Sequence, residues 1–241
     1  MRMESIERRI AYFISPHGFG HAARAAAVME EACRIDENLR FEIFTQVPQW
    51  FFRQSLTRPF GYHSLLTDIG LVQLTPFAVD LQETLRRLRE MLPFDARLIE
   101  SVAREIRELR CEMVVCDIAP MGIAVAESAR LPSVLIENFT WDWIYEQYAL
   151  EDSRIQAHAD YLRAVFSSAH YHIQTEPVCA PTDTPSLRTP PVGREARSPR
   201  HIVRERLGIP EHAPSVLITM GGIPAEFPFI ELLEQAPHIF L

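Results

Sequence analysis

The chain contains no lysine; all 24 of its basic residues are arginine. That excludes a P-loop, whose lysine reaches the nucleotide phosphates. It also excludes covalent chemistry through a lysine Schiff base. Cysteine is scarce: Cys33, Cys111, Cys116 and Cys179 stand far apart with no C-x-x-C pair. Reduced thiols are the expectation, rather than a disulfide frame or a zinc site. Positive charge is in deficit, with 32 acidic residues and a net charge of −8. A general nucleic-acid binder usually carries a basic face, so no nucleic acid is expected as partner. No apolar run approaches the roughly 18 residues of a membrane span. The run Ile10 to Ile14, after a charged start, is too short for a signal peptide. The sequence therefore points to a cytoplasmic protein with no membrane span. With 47% apolar and 23% charged residues, it is too apolar for disorder.

What is present alternates between two patterns. Residues 9–14, 41–45, 62–66, 113–116, 133–136 and 171–174 read as strands. Between them lie helical stretches, at about 21–35, 79–92, 99–109, 122–129 and 152–166. Leu81, Leu85, Leu88 and Leu92 form one helical stripe; Ile99, Val102, Ile106 and Leu109 form another. Strands alternating with helices predict an α/β fold, a doubly wound and mainly parallel sheet. From Glu176 to Pro199 the pattern lapses, and six prolines (177, 181, 185, 190, 191, 199) suggest a linker. A second unit then starts, with a helix at 200–207, a strand at 215–219, a Gly221-Gly222 turn, a helix from Phe229 and a strand at 238–241. The expected organisation is a Rossmann-like domain over 1–175, a linker over 176–199, and the incomplete start of another Rossmann-like domain over 200–241.

The sharpest motif follows the first strand: Ser15-Pro16-His17-Gly18-Phe19-Gly20-His21-Ala22-Ala23-Arg24. In an open α/β sheet this turn lies at the carboxyl ends of the strands, where ligands bind. Glycine lets the backbone approach a ligand, and the following helix start favours an anion. Gly18-x-Gly20-x-x-Ala23 formally matches a dinucleotide fingerprint, but the second strand ends Phe44-Thr45-Gln46, without the acidic residue a ribose needs. No cofactor is therefore expected. His21, in the first helical turn, is a candidate general base, because the positive helix end favours its neutral form. The alternative is a histidine that only packs or caps. His17 belongs to the loop and is a weaker candidate.

Asp117 ends a strand on the same sheet edge. It could hold the His21 imidazole in one tautomer, as the acid of a catalytic triad does, or cap the helix containing Gly122. The segment Asn138-Phe139-Thr140-Trp141-Asp142-Trp143-Ile144-Tyr145 follows the next strand. Aromatic rings beside Asn and Asp suit a sugar, though they could equally be core. His170 and His172 alternate on a strand, but a two-histidine site lacks a third metal ligand.

Together these segments resemble the amino-terminal domain of GT-B glycosyltransferases. They resemble most of all the glycosyltransferase-like proteins related to the amino-terminal region of plant arabinose kinases. That pattern runs G-H-G-F-G-H-A-x-R, a later strand ending in Asp, then N-F-x-W-D-x-I-Y. This chain follows it except for Pro16, where the pattern has glycine, and the likeness covers roughly residues 9–241.

The resemblance implies a metal-independent, inverting sugar transfer from a nucleotide-sugar donor to an acceptor hydroxyl, of hexosyl or N-acetylhexosaminyl type. It implies His21 as base with Asp117 in support. Gly18, Phe19, Gly20, Asn138, Trp141 and Asp142 would contact substrate, and Gly221 and Gly222 would approach the donor diphosphate. The family's second domain continues past residue 241, so a partner chain or further domain is implied. The alternative expectation is a non-catalytic sugar- or nucleotide-binding module, or a fragment that needs a partner.

Overall fold

A computed structural model of the chain describes residues 7–219, 229–233 and 239–240. The first strand, β1 (Arg8–Ile14), ends in four fully buried residues, Ala11 to Ile14. Such a run has no polar face, as a central parallel strand requires. Helix α1 (Phe19–Ile35) packs through Ala22, Ala25, Ala26, Met29 and Cys33. These positions repeat at helical spacing, and the alanines let the helix lie close to the sheet. The strand β2 (Leu39–Thr45), a short helix α2 (Gln49–Ser55) and β3 (Gly61–Ser64) follow. A small hairpin, β4 (Gln73–Thr75) with β5 (Ala78–Val79), precedes two amphipathic helices, α3 (Leu81–Met91) and α4 (Ala96–Glu108). Each starts at an aspartate: Asp80 accepts from the Glu83 N–H and Asp95 from the Arg97 N–H. The helix expected from Val79 therefore begins two residues later, because Val79 is used by the hairpin.

The order continues with β6 (Cys111–Asp117), α5 (Pro120–Ala129), β7 (Ser133–Glu137), α6 (Trp141–Tyr148), α7 (Gln156–Ser167), β8 (Tyr171–Thr175) and β9 (Leu187–Thr189). Strands β1–β3 and β6–β9 form one seven-stranded sheet in the order β3-β2-β1-β6-β7-β8-β9, every pair parallel. The chain runs outward from β1 to β3, then returns to the other side of β1 at β6. Between β1 and β6 the order reverses, and ligands of open α/β sheets bind outside the strand ends at such a point.

Alternate residues of β1 enter two cores. Ala11 and Phe13 join the core with α3 to α7; Tyr12 and Ile14 join the one with α1 and α2. The arrangement is α/β and Rossmann-like.

The stretch 176–199 is not simply a structureless connection. Its β9 pairs in parallel with β8, and two of its arginines return to α2. Arg194 Nη1 donates to Ser55 Oγ at 2.8 Å and Arg197 Nη1 to the Gln54 carbonyl at 2.6 Å. Beyond it lie α8 (Arg200–Arg206), β10 (Ser215–Val216), α9 (Ile230–Leu233) and β11 (Ile239–Phe240). The strand expected at 215–219 is confined to two residues, which pair in parallel with β11. Gly221 and Gly222 lie outside the described residues. No helix among the described residues is long and apolar enough to cross a membrane.

Candidate functional site

The turn from β1 to α1 is shaped by Gly18, whose φ of 80° and ψ of 170° suit glycine alone. The first turn of α1 has no side-chain cap and no acidic residue, so its N–H groups have no side-chain partner from the cap position. Gly20 differs from Gly18: a Cβ built there would meet no protein atom within 4 Å. Packing therefore does not require glycine at position 20, and the space above it is open.

His21 and Asp117 come together at the β1/β6 reversal. His21 Nδ1 stands 3.1 Å from Asp117 Oδ1, and the aspartate is fully buried. A carboxylate only accepts, so Nδ1 is the donor, and in the neutral ring Nε2 then keeps its lone pair. Asp117 is not the cap of α5: that helix starts at Pro120 after Ala119, with no side-chain capping bond. Both carboxylate oxygens are engaged instead by His21 and by Arg24, which donates to them at 2.8 and 2.7 Å. The next residue, Ile118, has φ of 53°, a left-handed conformation that costs a β-branched residue about 1–3 kcal/mol. The strain lies directly beside the buried carboxylate.

Asn138, just after β7, accepts from Arg24 Nη1 at 2.8 Å. Phe139 sets its ring edge-on to the His21 imidazole, with centroids 5.9 Å apart. Trp141 is 2% exposed and belongs to the core, with its ring 5.1 Å from His17, 5.3 Å from Phe139 and 6.0 Å from Tyr145. Asp142 is buried too and lies 3.5 Å from Arg163. The structure thus groups His21, Asp117 and Asn138, with Gly18 and Gly20 at the rim, and places Trp141 and Asp142 behind them. Phe19 faces the other way, stacked on Phe51 and 5.7 Å from the half-exposed Trp50. The two strand histidines are apart: His170 bonds Ser133, and His172 bonds Glu137.

Three residues received no role from the sequence. Arg24 carried a signal, since it lies three positions after His21 on the same helix face. Trp50 gave none. Asp68 gave none either: it sits in a loop after a weak strand, yet it is 4% exposed and accepts from Ser15 Oγ at 3.0 Å. Burial pushes its carboxyl up to about 7, opposed by His21 when that ring is protonated and by the hydroxyls of Ser15 and Thr67. His17 is shifted downward, mainly by burial and then by His21. It packs on Gly70, where a Cβ would come within 2.6 Å of its ring. Among the described residues no group of three His, Cys, Asp or Glu side chains could hold a metal ion.

No family model matches the chain. Over 219 residues it is 27% identical to the L-arabinokinase of Arabidopsis thaliana, a match covering 89% of this chain and 21% of that protein. The chain thus spans about a fifth of that relative's length. Among solved structures it is similar to UGT2 of Phytolacca americana, complexed with UDP-2-fluoro-glucose and pterostilbene. There the TM-score is 0.57 and the identity 13%, over 97% of this chain and 65% of that one. It is also similar to UGT71G1 of Medicago truncatula, complexed with UDP-glucose, at TM-score 0.54 and 14% identity, over 94% and 62%. A third is the glycotransferase of kitacinnamycin, at TM-score 0.58 and 15% identity, over 95% and 62%. This chain spans less than two thirds of each of these structures. It has the α/β fold of GT-B glycosyltransferases and is similar in sequence to part of L-arabinokinase.

Proposed function

We propose that the chain is the acceptor-side part of an inverting GT-B glycosyltransferase, which transfers a sugar from a nucleotide-sugar donor to an acceptor hydroxyl. The observation that carries this reading is the His21–Asp117 pair, 3.1 Å apart at the point where the sheet order reverses. His21 Nε2 takes the proton of the acceptor hydroxyl as that oxygen bonds to C1 of the donor sugar. The bond from C1 to the diphosphate oxygen breaks, and the nucleoside diphosphate leaves with the electron pair. Asp117 balances the imidazolium that forms.

On this reading Gly18, Gly20 and Asn138 contact substrate directly. Phe19, turned toward Phe51, takes no part in that contact, and Trp141 and Asp142 support the site from behind. The donor diphosphate is held by residues after 200, Gly221 and Gly222 among them, and a further domain or partner chain completes that half. The sugar is a hexose or an N-acetylhexosamine, no metal takes part, and the reaction is cytoplasmic.

The test is His21→Ala in the enzyme completed by that further domain or partner chain, with transfer measured from UDP-glucose and UDP-N-acetylglucosamine to sugar acceptors, and UDP binding followed by calorimetry. A loss of about 10²–10⁴-fold in transfer with unchanged UDP binding is expected for a general base. Equal rates in both proteins would remove His21 from that role. Tight UDP binding by the 241-residue chain, unaccompanied by transfer, would replace this reading with a nucleotide-binding module that uses Gly18 and Gly20.

A further inference from the structure

Arg24 stands one helical turn after His21, and its side chain is only 11% exposed. Its Nε donates to Asp117 Oδ2 at 2.8 Å and its Nη2 to Asp117 Oδ1 at 2.7 Å. Its Nη1 donates to Asn138 Oδ1 at 2.8 Å and to Thr175 Oγ1 at 3.2 Å. These acceptors end β6, follow β7 and end β8. One planar guanidinium therefore ties the carboxyl ends of three adjacent strands to α1.

Two consequences follow from donor chemistry. A bidentate arginine prevents the carboxylate from rotating, so Oδ1 stays in place as the acceptor for His21 Nδ1. Arginine offers only donors, so Asn138 must turn its Oδ1 inward. Its amide N–H groups are left to face away, and among the described residues none accepts from them. Other titratable groups near His21 are His17 and Asp68; Tyr12 of β1 lies near the Asp117–Arg24 pair.

We propose that Arg24 is a positioning residue that sets the tautomer of His21 and the orientation of Asn138 together. The site then presents one proton acceptor, His21 Nε2, and one hydrogen-bond donor, the Asn138 amide, to a polyhydroxylated ligand. The meaning of this for catalysis rests on the proposed transfer reaction; the positioning itself does not.

The experiment is nitrogen-15 NMR of the imidazoles in the 241-residue chain near pH 8, with the His21 signals assigned by their loss in His21→Gln. The wild-type protein is expected to hold His21 as the pure Nδ1–H tautomer. Arg24→Met should give a mixture of tautomers or the Nε2–H form. Arg24→Lys, a point charge that cannot span Asp117, Asn138 and Thr175 at once, should restore the Nδ1–H form only in part. A wild-type His21 in the Nε2–H form overturns the proposal. So does a wild-type spectrum from a folded Arg24→Met or from Arg24→Lys. If Arg24→Met fails to fold, the wild-type and Arg24→Lys spectra decide. Absence of sugar transfer by the enzyme completed with its donor half, with these spectra as expected, would sink the reaction and leave the positioning role standing.

Discussion

Ser15 donates its hydroxyl to Asp68 at 3.0 Å, joining two fully or nearly buried residues 53 positions apart in the chain. The pair anchors the glycine turn to the loop after β3. Burial pushes the Asp68 carboxyl up to about 7 in the folded protein, whereas the unfolded chain releases that proton near the ordinary carboxylate value. The sign follows: between about pH 4 and pH 7 the unfolded state loses a proton that the folded state keeps. This group therefore lowers stability progressively as pH rises through that window, and its effect levels off above about 7. Asp68→Asn removes the effect. Thermal unfolding from pH 4 to pH 8 should show the variant gaining on the wild type by a few kcal/mol, on the order of the linkage. Parallel curves would show that Asp68 is not the group responsible.

The two glycines of the turn should respond in opposite ways to alanine. Gly18→Ala forces a side chain into a conformation at φ of 80° and should cost about 1–3 kcal/mol of stability. Gly20→Ala meets no protein atom within 4 Å and sits in a helix, where alanine is preferred by about 1 kcal/mol. It should leave stability unchanged or raised, and it should slow transfer if substrate occupies that space. Denaturant unfolding of both variants checks the contrast; a destabilised Gly20→Ala would contradict it.

Trp141 and Trp50 make a second contrast. Trp141 is 2% exposed and should cost about 3–5 kcal/mol when cut to alanine. Trp50 is 51% exposed, so Trp50→Ala should fall within about 0.5 kcal/mol of the wild type. Any loss of transfer in Trp50→Ala then reports a substrate contact, whereas a loss in Trp141→Ala reports folding. Equal melting temperatures for the two variants would show that Trp141 is not core.

The arginines that return to α2 should protect the segment 187–199. Arg194 stacks over the Phe51 ring at 5.0 Å and bonds Ser55, and Arg197 bonds the Gln54 and Ser55 carbonyls. In the Arg194→Ala, Arg197→Ala double variant, thermolysin cleavage near Val192 should speed up several-fold, because local opening then breaks fewer contacts. Unchanged cleavage would mean that β9 alone holds the segment.

Much of this architecture was legible because parallel α/β proteins write their pattern plainly. Tyr12, Phe13 and Ile14 admit no polar face, and Ile99, Val102 and Ile106 mark a single helical stripe. Short elements were not legible. Helix α2 has seven residues and β9 three, too few for a periodicity to stand out. The aromatic segment at 139–145 was ambiguous for a different reason: a ring that stacks on a sugar and a ring that fills a core are the same residue type, and only burial separates them.

The sequence by itself determined that the Gly18 turn, Asp117 and Asn138 share one edge of the sheet. Parallel strands all point the same way, so residues after their carboxyl ends must collect there. The tertiary structure alone decided which of those side chains meet. Arg24 and Asp117 are 93 residues apart, and their pairing depends on β6 lying beside β1 and on the rotation of α1 over both. Periodicity records only whether a position is buried. Which partner it is buried against follows from strand order and register, which are set by the packing of the whole core.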